Sequence, residues 1–151
     1  MLRYNTQKSL LISWAAVLLW MLVIFSLSSQ AADQSAGLST GIVEIFIDII
    51  EKILPGYDAD MISLEHFIRK VAHFCSYLVL GVLVTNALRR SGVEGLKLYA
   101  FALGICVLYA ISDEVHQLFV PGRSGQAADV FIDSAGALLG IGGKMLLKCR
   151  K

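Results

Sequence analysis

Leu10 to Leu27, LLISWAAVLLWMLVIFSL, is an apolar run without a single charge. A helix needs about 20 mostly apolar residues to cross a bilayer core. Inside lipid, backbone polar groups must be satisfied within the segment, so such a run is committed to helix. Three further apolar runs follow, at about residues 67–88, 96–112 and 130–147. Composition agrees, because 56% of the residues are hydrophobic, above the roughly 45–50% of soluble domains. The expected fold is all-α, an integral membrane four-helix bundle forming one domain over residues 1–151. A cleaved signal peptide is the rival reading for the first run, since Ser29-Gln30-Ala31 resembles a cleavage site. The run outlasts the usual h-region of roughly 7–15 residues, which favours a retained span.

Residues 28–66 are the longest polar segment. Within it, Ile42, Ile45, Phe46, Ile49 and Ile53 recur at helical spacing, with Glu44, Asp48, Glu51 and Lys52 on the other face. Ser39 or Thr40 can cap this stretch and Pro55-Gly56 ends it. It reads as an amphipathic helix in the first extracytoplasmic loop, lying on the membrane or packed over the bundle.

Lys and Arg placement orients the chain. Arg3 and Lys8, then Arg89, Arg90 and Lys97, then Lys148, Arg150 and Lys151 fall on one side if there are four spans. The expectation is a multi-pass cell-membrane protein with both termini cytoplasmic and the acidic first loop outside. Net charge is only +1 and there is no basic patch interleaved with aromatics, so nucleic acid is not an expected partner. Cys75, Cys106 and Cys149 form no CxxC pair. Two lie in apolar runs as packing residues, and Cys149 is an acylation candidate.

The topology gathers polar residues at the outer end. Ser28, Ser29 and Gln30 leave the first span, and Arg69, Lys70 and His73 enter the second. Asp113, Glu114, His116 and Gln117 leave the third, and Asp129 and Asp133 enter the fourth. Ionisable residues at this depth are costly and usually functional. With Arg69, Asp113 and Asp129 marking the boundary, His73 and Asp133 sit about 6 Å deeper, at one turn of rise. Arg69, His73 and Tyr77 share a face, as do Tyr109, Asp113 and Gln117. Asp129 and Asp133 share theirs with Ala137 and Gly140, beside Gly136, and such small residues let helices approach closely. Asp133 is therefore expected to face inward and pair with His73.

Simpler roles stand beside these. His73 and Asp133 can serve as helix glue, and Arg69 and Lys70 can snorkel to headgroups. Pro121-Gly122 suits a type II turn presenting Arg123, either to an anion or to Asp113, Glu114 or Asp129. His66, His73, Asp113, Glu114 and His116 match no metal-ligand spacing, so no metal or other cofactor is expected. No Walker, Rossmann or Gly-x-Ser-x-Gly pattern occurs.

RKVAHFCSYLVLG (Arg69–Gly81) and SDEVHQLFVPGRSGQAADVFIDSAGALLG (Ser112–Gly140) resemble the two signature blocks of the VanZ-like membrane proteins, and FSLSSQ (Phe25–Gln30) resembles that family's first-span exit. The resemblance covers most of the chain. It carries over Ser29, Gln30, Lys70, His73, Tyr77, Asp113, Glu114, Gln117, Arg123, Asp129 and Asp133. Many relatives have Glu where this chain has Ser76. The resemblance implies a link to teicoplanin resistance and the cell envelope, without a settled reaction.

Three functions are open from the sequence. In the first, an outward polar pocket binds a lipid-linked envelope precursor or lipoglycopeptide, with Arg123 and Arg69 or Lys70 holding the anion. In the second, an enzyme uses Asp113, Glu114 or Asp133 as general base and His73 as relay. In the third, the polar groups only fix helix packing. Partners other than the bilayer, and the oligomeric state, stay open. A transporter is disfavoured, because no inverted pair of broken helices is visible.

Overall fold

A computed structural model describes residues 2–29, 61–121 and 125–149. Four helices account for almost all of them: α1 (Leu2–Ser28), α2 (Met61–Arg90), α3 (Gly95–Gln117) and α4 (Ala127–Cys149). The amphipathic helix expected at 41–54, together with Gln30 and the Gly122-Arg123 half of the expected turn, lies outside the described residues.

Helix directions follow from cross-helix contacts. Trp14 Nε1 donates to Ser91 Oγ at 3.1 Å and Trp20 Nε1 donates to the Ser76 carbonyl at 2.9 Å, so α1 and α2 run antiparallel. The Tyr109 hydroxyl donates to the Met21 carbonyl at 2.6 Å and Ser28 Oγ meets Asp113, so α1 and α3 run parallel. Phe74 faces Gly136 and Leu78 faces Gly140, so α2 and α4 are also parallel. The bundle is thus up-down-up-down. One end carries Lys8, Arg89, Arg90 and Lys97, with Lys144 on the same half of α4. The other end carries Lys70, His73, Asp113, Asp129 and Asp133.

Each helix turns one stripe inward. On α1, Trp14, Val17, Met21, Ile24 and Ser28 recur three and four residues apart and pack against the interior. On α3 the stripe is Leu98, Ala102, Cys106, Ala110, Asp113, Glu114 and Gln117. The outward faces are apolar, with Leu11 69% exposed, Leu22 60%, Leu108 69% and Phe131 76%. An apolar exterior around a partly polar interior suits lipid, not water. Three helices are long and apolar enough to span: Gln7–Ser28, His66–Arg90 and Gly95–Gln117. The fourth, α4, has 23 residues and carries Asp129, Asp133 and Lys144; its outer face of Phe131, Leu138 and Leu139 is apolar like the others.

The closest seam joins α2 and α4. A Cβ at Gly136 would lie 2.2 Å from the Phe74 carbonyl oxygen, and one at Gly140 would lie 2.1 Å from that of Leu78. From the other side, a Cβ at Gly81 would lie 2.5 Å from the Ala137 carbonyl oxygen. This is the small-residue approach that the Gly136/Gly140 spacing announces. At the other end, Gly92 takes φ +84 to turn α2 into α3.

The third span was expected to end near Ser112. It continues to Gln117 because Asp113, Glu114 and Gln117 are buried and partnered instead of opening a loop.

Candidate functional site

Four side chains from four helices meet at one end of the bundle: Ser28, His73, Asp113 and Asp133. Ser28 Oγ donates to Asp113 Oδ2 at 2.8 Å. His73 Nδ1 lies 3.6 Å from Asp133 Oδ2 and 4.0 Å from Asp113 Oδ2, within ion-pair reach but longer than hydrogen bonds. Both carboxylate side chains are fully buried. The expected His73–Asp133 partnership is present, and Asp113 makes it a triad. Asp113 was expected one turn nearer the surface. It shares the depth of His73 and Asp133 because α3 runs past it for another turn.

The polar layer extends outward from the triad. Gln117 Nε2 is 3.4 Å from both Asp113 Oδ2 and Glu114 Oε1. Glu114 Oε2 accepts the backbone N–H of Gln126 at 2.8 Å, tying α3 to the approach of α4. One turn nearer the surface, Lys70 Nζ donates to Asp129 Oδ1 at 2.6 Å. Lys70, not Arg69, therefore takes the ion pair. The Arg69 guanidinium has its Nε buried without a hydrogen-bond partner among the described residues.

Other expected site residues fall elsewhere. Ser29 is exposed and its hydroxyl returns to the Ser26 carbonyl at 3.0 Å, so Ser28 is the serine of the centre. The helical register of α1 determines this choice: Ser28 is four residues beyond buried Ile24, whereas Ser29 has turned outward. Tyr77 is completely buried below His73, its ring 6.1 Å from that of Tyr109. The Tyr109 hydroxyl is occupied by Met21, so Tyr109 braces α1 against α3 outside the triad. His116 stacks on Phe25 at 4.4 Å. Ser76 bonds the Ala72 carbonyl of its own helix at 2.8 Å and puts nothing into the centre. Gln30 and Arg123 lie outside the described residues.

Beside this layer is a cavity of about 400 Å³ between the C-terminal turns of α3 and the start of α4. Ile111, Val115, Leu118, Val130 and Phe131 make it apolar, and Glu114 contributes to its wall. Glu114 thus belongs both to the polar layer and to an apolar groove on the outside of the bundle.

An apolar-faced helical bundle with buried acids and a partly buried histidine near one end defines a polytopic membrane protein with a polar site at that end. The VanZ/LLP1 family model matches residues 13–148, and the chain belongs to that family. No curated protein and no solved structure shows a match to the chain.

Proposed function

We propose that the polar end of the bundle binds an amphiphilic cell-envelope molecule, its headgroup at the Lys70–Asp129 pair and the triad and an acyl tail in the α3/α4 groove. The observation that carries this reading is the continuity of groove and polar layer through Glu114. A lipid-linked molecule has this division, a polar head joined to a chain that prefers an apolar wall. A lipoglycopeptide such as teicoplanin has it as well, so the same site accounts for glycopeptide tolerance.

The proposed orientation follows the basic end. Lys8, Arg89, Arg90 and Lys97 belong in the cytoplasm, which makes the triad end extracytoplasmic and both termini cytoplasmic. Arg123, six residues beyond the end of α3, joins the headgroup contacts in this reading through its place in the signature block.

The test is glycopeptide tolerance at matched protein levels in Asp133→Asn and Arg123→Ala strains, with mass spectrometry of lipids retained by the purified chain. Lowered tolerance and loss of a retained amphiphile are expected. Wild-type tolerance in both strains would remove the binding role.

A second reading, an enzyme acting on such a molecule, is favoured by one observation. Asp133 Oδ1 and Oδ2 and Asp113 Oδ1 are buried without hydrogen-bond partners among the described residues. Carboxylate oxygens kept out of hydrogen bonds are available to take a proton from a substrate. An envelope-lipid profile that changes between a null strain and wild type is expected under this reading, and an identical profile counts against it.

A further inference from the structure

We propose that His73, Asp113 and Asp133 form a site for one divalent transition-metal ion, Zn²⁺ or Mn²⁺. The inference goes beyond the amphiphile reading and stands whether or not that reading holds. One ligand atom from each of the three residues lies within 4.8 Å of the others. Metal–ligand bonds of about 2.0–2.2 Å place ligand atoms roughly 3.3–4.4 Å apart, depending on coordination angle. The 3.6 Å and 4.0 Å separations from His73 Nδ1 fall inside that range.

Burial gives the second argument. Asp133 is 0% exposed, and its carboxylate faces His73 Nδ1 at 3.6 Å, while no hydrogen bond of ordinary length reaches either oxygen among the described residues. Buried charges are paired or coordinate metals, because an unpaired carboxylate out of water is strongly disfavoured. Tyr77 adds an independent sign. Its side chain is fully buried, one turn below His73 on α2, and its hydroxyl has no hydrogen-bond partner among the described residues.

The charge balance points the same way. Lys70 is engaged by Asp129, and Glu114 is engaged by the Gln126 N–H. Two carboxylates and one imidazole match a +2 ion in charge. The donor set distinguishes among ions: imidazole with carboxylate suits Zn²⁺ or Mn²⁺, whereas Ca²⁺ and Mg²⁺ prefer oxygen throughout. The ligands come from three helices, so no local motif announces them in the chain.

The experiment uses the full chain, free of any histidine tag, purified in detergent and stripped with chelator. It is titrated calorimetrically with ZnCl2 and with MnCl2, and bound metal is counted by mass spectrometry. One equivalent of one of these ions is expected. Asp133→Asn and His73→Ala are expected to weaken binding at least about 100-fold, more than loss of an outer-shell partner does. His66→Ala, at the same end but exposed, is expected to bind as wild type does. Should the site variants fail to fold, pulsed electron paramagnetic resonance of Mn²⁺-loaded wild type decides: coupling to a single imidazole nitrogen supports the site. Binding below a tenth of an equivalent in wild type, undiminished binding in folded site variants, or no nitrogen coupling overturns it.

Discussion

Gly140→Ala adds one methyl group where there is no room for it. The new Cβ would lie 2.1 Å from the Leu78 carbonyl oxygen, a backbone atom that cannot rotate away. Carbon–oxygen contacts in close helix pairs settle at about 3.3–3.6 Å, so α4 must recede from α2 by about 1 Å or more. Overpacking of this kind costs about 1–3 kcal/mol. Gly142→Ala is the same chemical change two residues on, with nothing within 4 Å of the added carbon. There the substitution gains helix propensity of about 0.5–1 kcal/mol. The two variants should therefore differ by about 1.5–4 kcal/mol, with opposite signs relative to wild type. Gly136→Ala should behave like Gly140→Ala, while Gly104→Ala and Gly143→Ala, in open space, should follow Gly142→Ala. Reversible unfolding in mixed micelles, followed by circular dichroism against the fraction of denaturing detergent, measures the differences. Equal midpoints for Gly140→Ala and Gly142→Ala would show that the α2/α4 seam is not the tight contact described.

Ser28→Ala leaves Asp113 Oδ2 with the long Gln117 contact and the 4.0 Å approach of His73 Nδ1. It should cost about 1–3 kcal/mol in the same unfolding assay, whereas Ser29→Ala should stay within about 0.5 kcal/mol of wild type. Tyr77→Phe keeps the ring and removes a hydroxyl that has no described hydrogen-bond partner. Its unfolding midpoint should equal or exceed wild type by up to about 1 kcal/mol. The Lys70–Asp129 pair is short but its side chains are 38% and 24% exposed. A double-mutant cycle should give a coupling below about 1 kcal/mol, shrinking further in high salt.

The helices were legible because lipid leaves the chain few choices. Four apolar runs bounded by Arg89-Arg90, by Gly92 and by Pro121 specify four helices and their order. The sequence also placed His73 and Asp133 on facing helices, since Gly136 and Gly140 lie one to two turns beyond Asp133 and mark the inward side of α4. What hydropathy could not supply was depth. Asp113 and Glu114 look like the start of a loop because acids end apolar windows. In the bundle, Ser28 and the Gln126 N–H satisfy them and the helix continues. The choice of Ser28 over Ser29 needed the rotational register of α1, which shows in the Trp14, Val17, Met21, Ile24 spacing. Signature-block matching does not use that spacing. The metal-ligand grouping could not be found by spacing at all, because its members are brought together only by packing of α2, α3 and α4.

The same seam that holds the bundle together also fixes the centre. Lipid tails are as apolar as leucine, so helices in a bilayer gain little by hiding apolar surface from one another and associate through close packing and hydrogen bonds. Here the closest packing is glycine against backbone at Gly81, Gly136 and Gly140, and Asp133 stands one turn from Gly136 on the same helix. Backbone contact leaves α4 little freedom to slide or rotate on α2, which keeps the stretches carrying His73 and Asp133 in register at their 3.6 Å separation. On the other side, Ser28 and Gln117 hold Asp113 toward the same point. A cluster of buried charged groups in lipid would otherwise relax toward the headgroups or draw in water. The glycine seam is the feature that keeps it assembled, and the polar centre therefore lies beside the tightest contact in the bundle.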